Sequence, residues 1–145
     1  MSFLDILRIG SSGLSAQRIR QEIISSNVAN ASTTRTEDGK PYVRKDVVFA
    51  PSRVSADFND YLTSYLDGGL QGVRVSEIIE DERPFVRRFM PNHPDADGEG
   101  YVSFPNVNVI EEMVNLVEAT RSYEANLSVM NATKSMAVGA IDLGK

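Results

Sequence analysis

Counting in alternating steps of four and three from Val109 lands on Met113, Leu116, Thr120, Tyr123, Leu127, Met130, Lys134, Ala137 and Ile141. Apolar residues hold every one of these positions except Thr120 and Lys134. A period of 3.5 residues kept for over four heptads is the pattern of a helical seam that must bury itself against another helix. Its start is marked as well. Pro105 precedes it, Asn108 suits the N-cap, and Glu111 falls where a capping box places its acid. Glu111 and Glu112 suit the positive end of the helix dipole. The two polar seam positions are expected to set register at some cost in stability.

The other end of the chain supplies a partner. Residues 1–30 read as a helix opened by Ser2 and Asp5, with Leu14, Ala16, Ile19, Ile23 and Val28 among its apolar positions. Gly10 and Gly13 each cost about 1 kcal/mol relative to alanine in a helix interior, so close packing or a bend is expected there. Asn27 and Asn30 are candidate stop signals. The expectation is an axial core of paired terminal helices, residues 1–30 and 107–145.

Residues 31–106 differ in kind. Nine of the eleven Phe and Tyr residues and all six prolines lie there. Tyr42–Ala50, Gly72–Glu80 and Phe85–Phe89 read as strands. Asp38-Gly39 marks a turn, Asp67–Gly72 a loop, and Asp57–Leu66 is ambiguous between helix and strand. The fold class is therefore α+β, with two long terminal helices pairing as a coiled-coil-like unit and a small β-hairpin or β-rich excursion between them. The C-terminal helix carries a second apolar line at Ile110, Val114 and Val117. Spare apolar faces suit an assembly part, although an ordinary helical core shows the same spacing.

Candidate chemistry is sparse. A net charge of −5 is the wrong sign for tracking phosphates, which argues against a nucleic-acid partner. No stretch approaches the roughly 18 apolar residues of a membrane span, and no cleaved leader is expected at the N-terminus. Without cysteine there are no disulfides, thiolate metal sites or thiol nucleophiles. The segment "HPDADGEG", His93–Gly100, imitates a calcium loop, with Asp95, Asp97, Glu99 and Gly100 in the first six positions. The position that needs a bidentate glutamate is Asn106, however, and prolines flank the only histidine. No catalytic, metal or cofactor site is expected. Pro94, Asp95, Asp97, Gly100, Tyr101, Pro105 and Asn108 read instead as a connector. Its acids and glycines turn the chain, its aromatics pack, and its last residues start the seam helix.

Two long segments carry a resemblance. "SSGLSAQRIRQEIISSNVANASTTRTEDGKPYVRKDVVF", Ser11–Phe49, contains S-G-L-x-A-Q at Ser12, Gly13, Leu14, Ala16 and Gln17, and "SNVANA" at Ser26–Ala31. "HPDADGEGYVSFPNVNVIEEMVNLVEATRSYEANLSVMNATKSM" runs from His93 to Met136. Both are similar to the end signatures of the bacterial flagellar axial proteins of rod and hook, and in detail to those of the proximal rod. The resemblance implies a non-enzymatic subunit, exported by the flagellar type III apparatus without a cleaved leader. It implies helical assembly with itself and other rod proteins, in contact with basal-body export and motor-ring components. The implied location is the basal-body rod, which is periplasmic in Gram-negative cells. A reading from a different class is a soluble helical scaffold or binding module, with the β region as its recognition surface. A third is a small hydrolase or calcium protein built around His93–Gly100.

Overall fold

The computed structural model describes residues 3–53 and 71–142. Helix α1 spans Phe3–Ala29 and helix α2 spans Val109–Asp142. Between them lie β1 (Lys45–Arg53), β2 (Gln71–Glu80), β3 (Val86–Phe89) and β4 (Tyr101–Phe104). The expected cap at Ser2, the ambiguous segment Asp57–Leu66 and most of the Asp67–Gly72 loop lie outside the described residues. Gln71 and Gly72, expected in that loop, open β2.

The helices pair antiparallel. Gly10 lies against Met130, Gly13 against Asn126, the Gln21 amide donates to Thr120 Oγ1, and Asn27 donates to Glu112. The two glycines leave room for side chains of α2. A Cβ at Gly10 would sit 2.8 Å from Met130 Cγ, and one at Gly13 would sit 3.0 Å from Asn126 Nδ2. Their cost in helix propensity is thus explained by close approach rather than by a bend.

The strands form two antiparallel two-stranded ribbons, β1–β2 and β3–β4. In the first, Val48 faces Glu77 and Phe49 faces Val75, so Ser76 is a bulge residue. This ribbon rests on α1. Ser12 Oγ donates to the Ile9 carbonyl and accepts the Val73 backbone N–H at 3.1 Å. Ala16 is buried beneath. β1 begins three residues later than the sequence pattern suggests because its lead-in has other partners. The Tyr42 N–H donates to Thr33 O, and the Arg44 N–H to Asn106 Oδ1.

The second ribbon includes a strand that was expected only as a connector. Tyr101–Phe104 pairs with β3 from Val86↔Phe104 to Phe89↔Tyr101, and Val102 is 1% exposed. Of the apolar side chains, only Ala16, Ile24, Val102, Pro105 and Ala119 are buried among the described residues. So thin an apolar core means that much of the helix surface remains uncovered.

Candidate functional site

The end of α1, the lead-in to β1, the end of β2 and the start of α2 converge on a buried polar junction. Asn27 sits in the last turns of α1 and is fully buried. Its side chain makes four hydrogen bonds. Nδ2 donates to Lys45 O (2.8 Å) and Glu112 Oε2 (2.9 Å), while Oδ1 accepts from the Lys45 N–H and the Tyr42 hydroxyl (both 3.0 Å). Asn27 is therefore not a helix stop. The helix continues to Ala29, and it is Asn30 that folds its side chain back onto the Ser26 carbonyl.

Glu112 is 1% exposed. Its other oxygen accepts from Arg44 Nε at 2.9 Å. A carboxylate this deeply buried is costly unless paired and hydrogen-bonded, and here it is both. Arg44 also reaches Asp46 (3.0 Å) and Asp81 (3.4 Å) through one terminal nitrogen. Burial works against the Arg44 charge, but Glu112 and then Asp46 outweigh it and hold the guanidinium above its ordinary range. Asn106 completes the junction by donating to the carbonyls of Asp81 and Arg83 (both 3.0 Å). Asp81 in turn is held below the usual carboxylate range by the Arg83 side chain and then by the Arg83 backbone N–H.

The connector closes on itself by similar means. Asp97 Oδ1 accepts the backbone N–H groups of Tyr101 (2.8 Å) and Glu99 (3.0 Å), and Oδ2 takes Arg87 at 2.7 Å. Those contacts, the Tyr101 N–H foremost, hold its carboxyl low. Asp95 ties the connector to the loop after α1 by accepting from Thr34 Oγ1 at 2.7 Å, with Arg35 at 3.8 Å. Gly100 has φ +81°, and Tyr101 meets Phe89 edge-on at 5.3 Å. Pro94 is exposed and Pro105 buried. Asn108 caps α2 by accepting the Ile110 N–H at 3.1 Å, while Glu111 lies 3.8 Å from Arg83. Among the described residues, no three His, Asp or Glu side chains converge as a metal site.

The stripe of α2 that meets α1 is not the one the heptads select. Leu116, Tyr123, Met130 and Ala137 belong to both stripes and are half-buried. The second column facing α1 is Glu112, Ala119, Asn126 and Thr133, with Glu112, Ala119 and Thr133 buried. The apolar column expected there points outward, with Met113 58%, Leu127 42% and Ile141 66% exposed, and Val109 and Lys134 are exposed too. At 100° per residue the face is turned by about 50°. Gly10 takes Met130 of the shared column, and Gly13 takes Asn126 of the second one. On α1, Ala16 is buried, and Leu14, Ile19, Ile23 and Val28 are half-buried.

The spacing hid Ser12, Asn27, Arg44, Asn106 and Glu112. Ser12 and Asn27 lie within the quoted end signatures, but their bonds to β2 and to the junction have no one-dimensional sign. Arg44 is one base among several.

An antiparallel pair of terminal helices, locked by buried polar groups and uncovered along an apolar column, is the build of an assembly subunit. Comparison with known proteins places it more closely. The family described as "Flagella basal body rod protein" matches residues 7–35, and "Flagellar basal body rod FlgEFG protein C-terminal" matches residues 99–143. The chain is 46% identical to the flagellar basal-body rod protein FlgC of Borreliella burgdorferi, over 94% of this chain and 93% of that one. It is 43% identical to the Bacillus subtilis protein of the same name and 39% identical to that of Escherichia coli O6:H1, each over the full length of both chains. The chain belongs to the flagellar basal-body rod protein C family.

Proposed function

We propose that this chain is a structural subunit of the flagellar basal-body rod, packing helically with copies of itself and with other rod proteins to form the shaft that transmits motor torque. The observation that carries this is the uncovered column of α2. Ile110 is 76% exposed, Met113 58%, Ile141 66%, and Val114 and Val117 about half. Contiguous apolar surface on a helix that is itself held firmly by α1 marks a contact site for another protein. Residues 1–30 and 107–145 would form the axial core, and 31–106 would stand outward from it. Val109, Met113, Leu127 and Ile141 would meet neighbouring subunits. Leu14, Ala16, Ile19, Ile23, Val28, Leu116, Tyr123, Met130 and Ala137 would hold the pair together. Pro94, Asp95, Asp97, Gly100, Tyr101, Pro105 and Asn108 would fix the angle between core and β region.

The work is mechanical rather than catalytic. Export through the flagellar type III apparatus, contact with export and motor-ring components, and a periplasmic position in Gram-negative cells belong to the same proposal. Among the described residues no helix is long and apolar enough to cross a membrane. The test replaces Met113 and Ile141 with glutamine. Retained helix content with loss of motility and of rod assembly is expected. Normal motility, or stoichiometric 1:1 complexes with no polymer, would instead support a soluble scaffold.

A further inference from the structure

We propose that Arg44 and Glu112 are specificity-determining residues that decide which face of α2 the N-terminal helix takes. Two faces compete. They share the column Leu116, Tyr123, Met130 and Ala137 and differ by a rotation of about 50°. One offers Met113, Thr120, Leu127, Lys134 and Ile141, and the other offers Glu112, Ala119, Asn126 and Thr133. Burial of apolar area alone favours the first, since it takes the larger apolar side chains out of water. The chain adopts the second.

The polar junction supplies a reason. Arg44 is 8% exposed, and apart from Glu112 its guanidinium is held by Asp46 and Asp81, so it is already in place beside the start of α2. Turning α2 onto its apolar face would swing Glu112 away from Arg44 and from Asn27. Two buried donors, Arg44 Nε and Asn27 Nδ2, would lose that acceptor. Buried ion pairs add little to stability compared with apolar replacements, but they penalise the wrong arrangement heavily. The pair thus acts by excluding the alternative face. Its effect is to leave the apolar column uncovered, and in that consequence alone the inference rests on the assembly proposed above.

The absence of cysteine makes the test direct. Single cysteines are placed at Asn126 and at Leu127, each in the native background and in an Arg44→Met/Glu112→Leu background. Alkylation rates are measured alongside far-UV circular dichroism. In the native background L127C should react faster than N126C. In the double variant helix content should be retained and the ratio should fall or invert as Leu127 turns inward. An unchanged ratio overturns the proposal and assigns face selection to the Gly13–Asn126 approach. Loss of helix content also overturns it, because the pair would then be holding the fold rather than choosing a face. Assembly is scored separately. A variant that turns its face and still assembles faults the assignment of the column to subunit contacts and leaves face selection standing.

Discussion

Replacing Gly100 with alanine separates two costs that usually arrive together. Gly100 has φ +81°, a left-handed conformation that costs a residue with a Cβ about 1–2 kcal/mol. The new Cβ would also meet Phe89 Cε2 at 3.0 Å, Pro91 Cβ at 3.2 Å and the Pro91 Cα at 3.4 Å. The proline ring and the backbone cannot turn aside as a long side chain would. Overpacking of this kind adds about 1–3 kcal/mol, which brings the expected loss to about 2–5 kcal/mol. Gly39 is the control. Its φ is +74°, but nothing lies within 4 Å of an added Cβ, so Gly39→Ala should lose only the backbone part, about 1–2 kcal/mol. Urea unfolding followed by far-UV circular dichroism gives both losses from the midpoints, provided the slopes agree. The packing of the connector against β3 is refuted if the two variants lose the same amount.

Asp81 and Asp97 both have folded-state pKa values below their ordinary range, Asp81 through Arg83 and Asp97 through the Tyr101 N–H. Their contribution is therefore complete above the ordinary carboxylate value of about 3.9 and disappears as pH falls below it toward the folded values. Unfolding midpoints measured from pH 6 to pH 2 should drop more steeply below about pH 4 in the native chain than in Asp97→Asn. Ser12→Ala removes the acceptor of the part-buried Val73 N–H and should cost about 1–3 kcal/mol, with faster hydrogen exchange at Val73 as its local sign. Asn108→Ala removes the cap that accepts the Ile110 N–H and should cost about 0.5–2 kcal/mol, visible as fraying of the first turn of α2 in exchange or in ¹³C shifts.

The two helices and three of the strands could be read directly, the helices from their apolar spacing and the strands from runs of β-branched and aromatic residues between turn signals. The seam stepping from Val109 marks α2 as a helix, and Asn108 marks its start. The choice of face could not be read, because periodicity counts apolar residues and is silent about a partner that brings glycines. Gly10 and Gly13 signalled close packing, but not that Asn126 rather than Leu127 would be the residue approached. β4 was missed because Tyr101–Phe104 is four residues long and follows a turn dense with acids and glycines. Its alternation of Tyr101 and Ser103 with Val102 and Phe104 was the available signal. The polar junction escaped altogether. Asn27 looked like a helix stop, and the bond that gives it meaning reaches a residue 85 positions away.

The antiparallel pairing also sets a schedule. Gly10 meets Met130, and Asn27 meets Glu112, so the helix that pairs with α1 comes from the last third of the chain. A polypeptide delivered N-terminus first would carry its opening helix without its helical mate until nearly all of the remainder had followed. Closing so long a loop is entropically slow, and contacts of this sequence separation lengthen folding times. The local ribbons can form early, β3–β4 first, since barely a dozen positions separate its strands. The helix pair comes last, as a clasp shut by the final arrivals.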